Sequence, residues 1–250
     1  MLKFQQKTLR FNSFRDLYPS GHAVVVASGP TKFDYKDLAK FQDHPVVLIN
    51  DAVRFEDFTL GDSYLVTGDA KPYAPLVKKS TFFYPLKFMR EQLNGERFPK
   101  PPEEPWILKG DERLAWDYFC QSIVDTEAPC VFHNVITSAS RKDWEDNKSV
   151  GETGVPSWAF DKDEVTKRRS LFGHTGSITQ AIHLLWYMGV KTVTMIGCRP
   201  LYKENHRHDP RIYTHNHRRT SWILKAVISN QIETLDVFRI EPHYYMNYDD

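Results

Sequence analysis

The sequence predicts an α/β protein of Rossmann-like type: a single domain with a mostly parallel sheet, helices on both faces and a long active-site loop or lid. Three observations predict it. Residues 23–27 (AVVVA) and 45–50 (PVVLIN) are short runs dominated by apolar and β-branched residues, as strands buried on both faces are. Each stops abruptly at turn or polar residues, Ser28-Gly29-Pro30 after the first and Asn50-Asp51 after the second. The stretch "TGSITQAIHLLWYMGVKTVTMIG" reads as an amphipathic helix, a stop at Gly189 and a strand ending at Gly197, which is half of a β/α crossover.

The remaining elements follow in chain order. "YKDLAKF" suits a short helix and "SYLVTG" a third strand, followed by strands at "STFFYP" and "APCVFHNV". Apolar residues at helical spacing in "DERLAWDYFCQSIV" predict a helix, and "RFPKPPEEPW", with four prolines, is irregular. Residues 138–169 are polar, charged and marked by Gly and Pro, and read as a long loop or lid over a site. After the crossover unit, "RRTSWILKAVISNQIE" reads as a helix and "LDVFRIEP" as a closing strand, with an aromatic tail.

Composition limits the function classes. At 250 residues, 41% hydrophobic and 26% charged, the chain is an ordinary globular one, and no apolar run reaches the roughly 20 residues of a membrane helix. The first residues have no continuous apolar core of the signal-peptide kind, so a cytoplasmic location is expected. Three scattered cysteines, Cys120, Cys130 and Cys198, form neither a disulfide framework nor a metal-ligand pair. A net charge of +1 excludes a globally basic nucleic-acid binder, yet "HRHDPRIYTHNHRR" at 206–219 concentrates positive character. A local anion site fits that pattern better than a coating of phosphate contacts.

The chemistry-bearing residues fall at predicted strand ends. Ser28-Gly29-Pro30-Thr31 lacks the later glycines of a dinucleotide fingerprint and the Gly-Lys-Ser/Thr of a P-loop, so neither NAD nor kinase-type ATP binding is supported. What it retains is a glycine that permits close backbone approach and hydroxyls able to bond a phosphate or ribose. Asn50-Asp51 and Thr67-Gly68-Asp69 stand at two further strand ends. Each of the three is singly explicable as a turn or cap, whereas all three in series on parallel strands point to one crevice.

Of the ten histidines, five at 174, 206, 208, 215 and 217 gather near the late strand or the loop before it. An imidazole there can serve as general base or phosphate partner, with His215 or His217 as the candidates. Paired histidines also admit a metal reading, which the scarcity of nearby carboxylates and thiols disfavours. Tyr202 and Tyr213 lie in the same segment, where tyrosine hydroxyls donate to phosphate oxygens and the rings stack.

In this order, the strand with Ser28-Gly29-Pro30-Thr31, the strand ending in Asn50 and residues 175–200, "TGSITQAIHLLWYMGVKTVTMIGCRP", resemble the bacterial sialyltransferases of glycosyltransferase family 42. They are similar as well to that family's relatives, the 6-hydroxymethylpterin diphosphokinase-like proteins and motility accessory factors. The resemblance covers the two ends of the chain. It implies that Ser28, Gly29 and Pro30 line a nucleotide, that Asn50 meets its phosphate or ribose, and that Thr175, Gly176 and Ser177 approach the base or sugar. A histidine after the glycine-ended strand would be the general base, with His215 the nearest match. Two positions depart from the family: Ser28 replaces an asparagine, and Cys198-Arg199 replaces a segment that carries an acidic residue. Arg199 beside the phosphates suits an anionic donor and a mechanism without metal.

The expectation is therefore a metal-independent glycosyltransferase with a nucleotide-sugar donor and no other cofactor. Its nucleotide would be held by Ser28, Gly29, Pro30, Thr31, Asn50, Asp51, Gly68, Asp69, Thr175, Gly176, Ser177, Arg199, Tyr202 and Tyr213, and its acceptor would be a saccharide or a nucleic acid. Two alternatives stand beside it. One is an ATP-dependent diphosphokinase-like transferase needing a divalent metal, with Asp51, Asp69 or the histidine pairs as ligands. The other is a non-catalytic nucleotide- or nucleic-acid-binding protein working through residues 199–219.

Overall fold

The computed structural model describes residues 9–85 apart from 30, 32, 69–72, 74 and 75; residues 128–136; residues 155–198 apart from 156, 174 and 175; and residues 232–245 apart from 233. Among these residues eight strands form one sheet: β1 (His22–Val26), β2 (Val46–Ile49), β3 (Ser63–Val66), β4 (Thr81–Pro85), β5 (Cys130–Ile136), β6 (Ser170–Phe172), β7 (Thr192–Ile196) and β8 (Glu241–Tyr244). Their order across the sheet is β6-β5-β4-β3-β2-β1-β7-β8, and every neighbouring pair is parallel. The α/β class with a parallel sheet is thus the observed architecture.

The apolar runs of β1, β2 and β3 are buried because both faces of the sheet are covered. Alternate residues divide between two cores, as the pleat requires. Ala23, Val25, Val47, Ile49, Tyr64 and Val66 face one core, which includes Ala181, Ile182, Leu184 and Leu185 of a helix. Val24, Val26, Val46, Leu48 and Leu65 face the other, which includes Leu38, Ala52 and Val53 of two 3-10 segments. Each fully buried aliphatic side chain contributes roughly 1.5–3 kcal/mol, so the central strands hold much of the folding free energy.

The α-helices α1 (Lys162–Arg168) and α2 (Ser177–Tyr187) flank β6 in the chain. The end of α2 follows from Gly189, which sits at φ +89. There the Gly189 N–H donates to Trp186 O and the Val190 N–H to Leu185 O, both at 3.0 Å, the pair of bonds that closes a helix on a left-handed residue. The carbonyls left over are taken by the segment before β1: the N–H groups of Asp16, Tyr18 and Ser20 donate to Tyr187, Met188 and Gly189 at 3.0, 2.8 and 2.9 Å. On the opposite face, the 3-10 segments Tyr35–Phe41 and Asn50–Phe58 are joined by stacking of Tyr35 on Phe55, with ring centroids 3.6 Å apart.

Two expectations are corrected. The loop expected over 138–169 is ordered helix in its last part, a 3-10 turn at Ser157–Phe160 followed by α1, while residues 137–154 lie outside the described residues. The reason is local. Asp161 caps α1 by accepting from the Asp163 and Glu164 N–H groups, Glu164 pairs with Lys167 and Arg168, and Val165 is buried. The "SLF" that follows is β6, at the sheet edge.

The closing strand expected at "LDVFRIEP" is displaced along the chain. Residues 234–237 are helical, with Leu235 and Phe238 buried one turn apart, and Arg239 at φ +53 ends the turn, so β8 starts only at Glu241. The helices expected in 111–124 and in most of 218–233 lie outside the described residues.

Candidate functional site

The topology itself marks a crevice. From β1 the chain proceeds to β2 on one side, whereas β7 pairs with β1 on the other, so the connections leaving the carboxyl ends of β1 and β7 diverge. In open α/β sheets such a switch point is where ligands bind. The loops flanking it touch backbone to backbone. A Cβ on Gly29 would lie 2.2 Å from Gly197 O, and one on Gly197, which sits at φ +65, would lie 2.2 Å from Ala27 O. Only glycine fits at both places, and that contact is tied to the sheet by the Ala27 N–H donating to Ile196 O at 2.8 Å.

The adjoining strands carry the second half of the edge. Asn50, the residue after β2, holds φ +53, a left-handed conformation that asparagine tolerates better than most side chains. Its Oδ1 accepts from the Ser177 hydroxyl at 2.9 Å. The same Ser177 Oγ accepts from the Gly68 N–H at 2.7 Å. One hydroxyl at the first residue of α2 thus joins the ends of β2 and β3, and its donor and one of its acceptor positions are occupied.

The remaining predicted residues divide plainly. Ser28 is exposed. The Thr31 hydroxyl accepts from the Phe33 N–H at 3.1 Å, closing its own turn. Asp51 is half-buried and pairs with Arg54 at 3.6 Å. Gly176 precedes α2 with no side chain to cap it, and its carbonyl accepts from the Thr179 hydroxyl at 2.8 Å. The predicted residues Pro30, Asp69, Thr175, Arg199, Tyr202, Tyr213, His215 and His217 lie outside the described residues, as do His174, His206 and His208.

Beside the crevice, Cys198 donates its thiol to Ile196 O at 3.6 Å. Burial pushes this thiol up to about 12, so it stays protonated at neutral pH and offers no thiolate nucleophile. Among the described residues no three histidine, cysteine or acidic side chains gather in a way that could hold a metal ion.

Residues that sequence reasoning did not single out complete the edge. Gln180, one turn into α2, is only 2% exposed, and its Oε1 has no hydrogen-bond partner among the described residues. A Cβ on Gly173 would lie 2.5 Å from its Cγ, and one on Gly68 would lie 3.7 Å from its Nε2. Three positions away, His183 is buried with Nδ1 accepting from the Phe172 N–H at 2.7 Å and Nε2 facing Ala159 O at 3.0 Å. That pair of bonds fixes the Nε2–H tautomer, and burial lowers the imidazole to about 3. His183 is therefore a neutral structural brace.

At the amino edge, remote from this crevice, His22 bridges Thr192 and Thr194 of β7 at 2.8 and 2.9 Å. Burial, then the neighbouring His44 and His243, hold its imidazole below the ordinary value. No helix among the described residues is long and apolar enough to cross a membrane. Comparison with family models, with curated proteins and with solved structures returns no match for this chain.

Proposed function

We propose that the protein is a glycosyltransferase that takes a nucleotide-activated sugar at the carboxyl edge of β7, β1, β2 and β3 and transfers the sugar to an acceptor hydroxyl without a metal. The observation that carries this reading is the topological switch point between β1 and β7, where the loops leaving the two strands pack together, half-buried Gly29 on buried Gly197. The exposed Ser28 at this turn offers a hydroxyl that suits a phosphate, and the Asn50–Ser177–Gly68 network on the same edge supplies a fixed polar wall for the rest of the donor.

In this mechanism His215 or His217 removes the proton from the acceptor hydroxyl. The acceptor oxygen then bonds to the anomeric carbon as the bond from that carbon to the phosphate oxygen breaks, and the nucleotide departs with the electron pair. Arg199, with Tyr202 and Tyr213, offsets the charge that builds on the leaving phosphate. Saccharides are the acceptor class tried first.

The test is a thermal-shift panel on the full chain with nucleotide-sugars and nucleoside triphosphates, followed by donor-hydrolysis assays with and without EDTA. Stabilisation by a nucleotide-sugar and EDTA-resistant turnover that His215→Ala or His217→Ala abolishes are the expected results. Stabilisation by ATP alone, with activity lost on chelation, overturns the reading in favour of a diphosphokinase-like transferase.

A further inference from the structure

A buried amide oxygen without a donor is a cost that a folded protein seldom carries for nothing. Gln180 carries one: the residue is 2% exposed and Oε1 is unpartnered among the described residues. The obvious local donor is already committed, since the Gly68 N–H bonds Ser177 Oγ. The side chain is also held in place. A Cβ on Gly173 would come within 2.5 Å of Gln180 Cγ and 3.0 Å of Nε2, so the residue at 173 leaves room for this glutamine and for no side chain of its own. Gly68, at the end of β3, lies in ordinary contact range of the amide nitrogen.

The amide end therefore sits between two glycines, beside the Ser177 hydroxyl that fixes Asn50. Its chemistry restricts its partner. A side-chain amide offers an acceptor oxygen and an NH2 donor, and a neutral hydroxyl, which both donates and accepts, can engage either. A phosphate brings acceptors only and would leave Oε1 as it is.

We propose that Gln180 is a specificity-determining residue of the site, its side-chain amide pairing with a hydroxyl of the sugar carried by the donor. This rests on the glycosyltransferase reading above and adds the residue that reads the sugar.

The experiment uses the full chain and the isosteric variant Gln180→Met, with Gln180→Leu as a second. Melting temperatures are measured without ligand, and binding is measured by calorimetry for UDP-glucose, GDP-mannose and CMP-N-acetylneuraminic acid against UDP, GDP and CMP. Removing an unsatisfied buried amide should leave the ligand-free melting temperature unchanged or raised in at least one variant. Affinity for the bound nucleotide-sugar should fall about tenfold, while affinity for its nucleotide alone changes by less than about twofold.

A melting temperature lowered in both variants makes Gln180 a structural residue and overturns the proposal. Equal loss for the nucleotide-sugar and the bare nucleotide overturns it too, by placing the amide on the nucleotide. If the wild-type chain binds a nucleotide-sugar and both variants bind it equally well, Gln180 is excluded and the glycosyltransferase reading stands. If the wild-type chain binds none of the three donors, that reading fails first and the role of Gln180 falls with it.

Discussion

The hydroxyl of Ser177 donates to Asn50 Oδ1 at 2.9 Å, joining the first residue of α2 to the residue that follows β2. Asn50 holds a left-handed backbone conformation there, and a strand end in that conformation persists when its surroundings over-determine it. Ser177, which also accepts the Gly68 N–H at 2.7 Å, is the group that does so. The helix therefore does more than cover the sheet, because it sets the shape of the edge where the crevice opens.

Replacing Ser177 by alanine leaves Asn50 Oδ1 and the Gly68 N–H without this partner. We expect Ser177→Ala to lower stability by about 1–2 kcal/mol, read as a shift in the urea midpoint at unchanged slope. Any nucleotide-sugar affinity should fall as Asn50 loses its fixed orientation. An unchanged midpoint would mean that water replaces the hydroxyl at no cost and that the network does not shape the edge.

His183 gives a pH prediction with a definite sign. Its folded-state value of about 3 lies below the ordinary 6.5 of an unfolded chain, so the native state holds it neutral. Below pH 6.5 the unfolded state binds a proton that the folded state does not, and stability is lost as the pH falls from 6.5 towards 3. The slope from this one residue is at most about 1.4 kcal/mol per pH unit. His183→Leu should remove that slope and, by orphaning the Phe172 N–H and Ala159 carbonyl, cost about 2–4 kcal/mol at pH 7. Urea unfolding of both proteins at pH 7, 6 and 5 measures it, and parallel pH dependences would show that His183 is not the titrating group.

The outline of this fold was legible in the sequence for a physical reason. Strands buried on both faces read as apolar runs, so β1, β2 and β3 announce themselves, and the polar residues Ser28, Asn50 and Thr67 that follow them locate the carboxyl edge. Short or mixed signals failed. β6 has three residues, too few for any period to register. Leu235, Val237, Phe238 and Ile240 fit a strand on hydropathy alone, whereas the Phe238 N–H donates to Thr234 O at 3.1 Å in a helical turn, which Phe238 covers by packing against Trp186 and His183.

At the candidate site, the polar strand and helix ends point to Asn50, Gly68 and Ser177, and the structure shows these three joined at one edge. The fit of Gly29 against Gly197, and the lone acceptor of Gln180, are relations between residues far apart in the chain, which no local pattern encodes.

The contact between Gly29 and Gly197 makes the crevice intolerant of any side chain. Gly197→Ala would place a Cβ 2.2 Å from Ala27 O at a φ of +65, combining a backbone clash with an unfavourable conformation. We expect a loss of at least about 2 kcal/mol, and on the proposed function any nucleotide-sugar binding should weaken because the two loops must separate. Guanidinium unfolding and calorimetry check both. A fully stable Gly197→Ala protein would show that these loops part freely.

Glu56 is a buried polar anchor in the 3-10 segment that follows β2. It is 2% exposed, and its carboxylate accepts from the N–H groups of Lys78 at 2.6 Å, Ser80 at 3.1 Å and Lys79 at 3.4 Å. Three successive amides pointing at one carboxylate hold the entry to β4 against the 3-10 segment that follows β2. Glu56→Ala strips the acceptor from all three donors, and a loss of about 3–5 kcal/mol is expected, since charge-assisted bonds in a buried site are the costly ones to break. Glu56→Gln keeps one oxygen but turns an NH2 towards amide donors, so it should recover less than half of that loss. Hydrogen exchange at Lys78, Lys79 and Ser80 separates this anchor from a general loss of stability. In Glu56→Ala these amides should exchange far faster than those of β1 and β2, and equal acceleration throughout the sheet would show that Glu56 supports the whole fold rather than this junction.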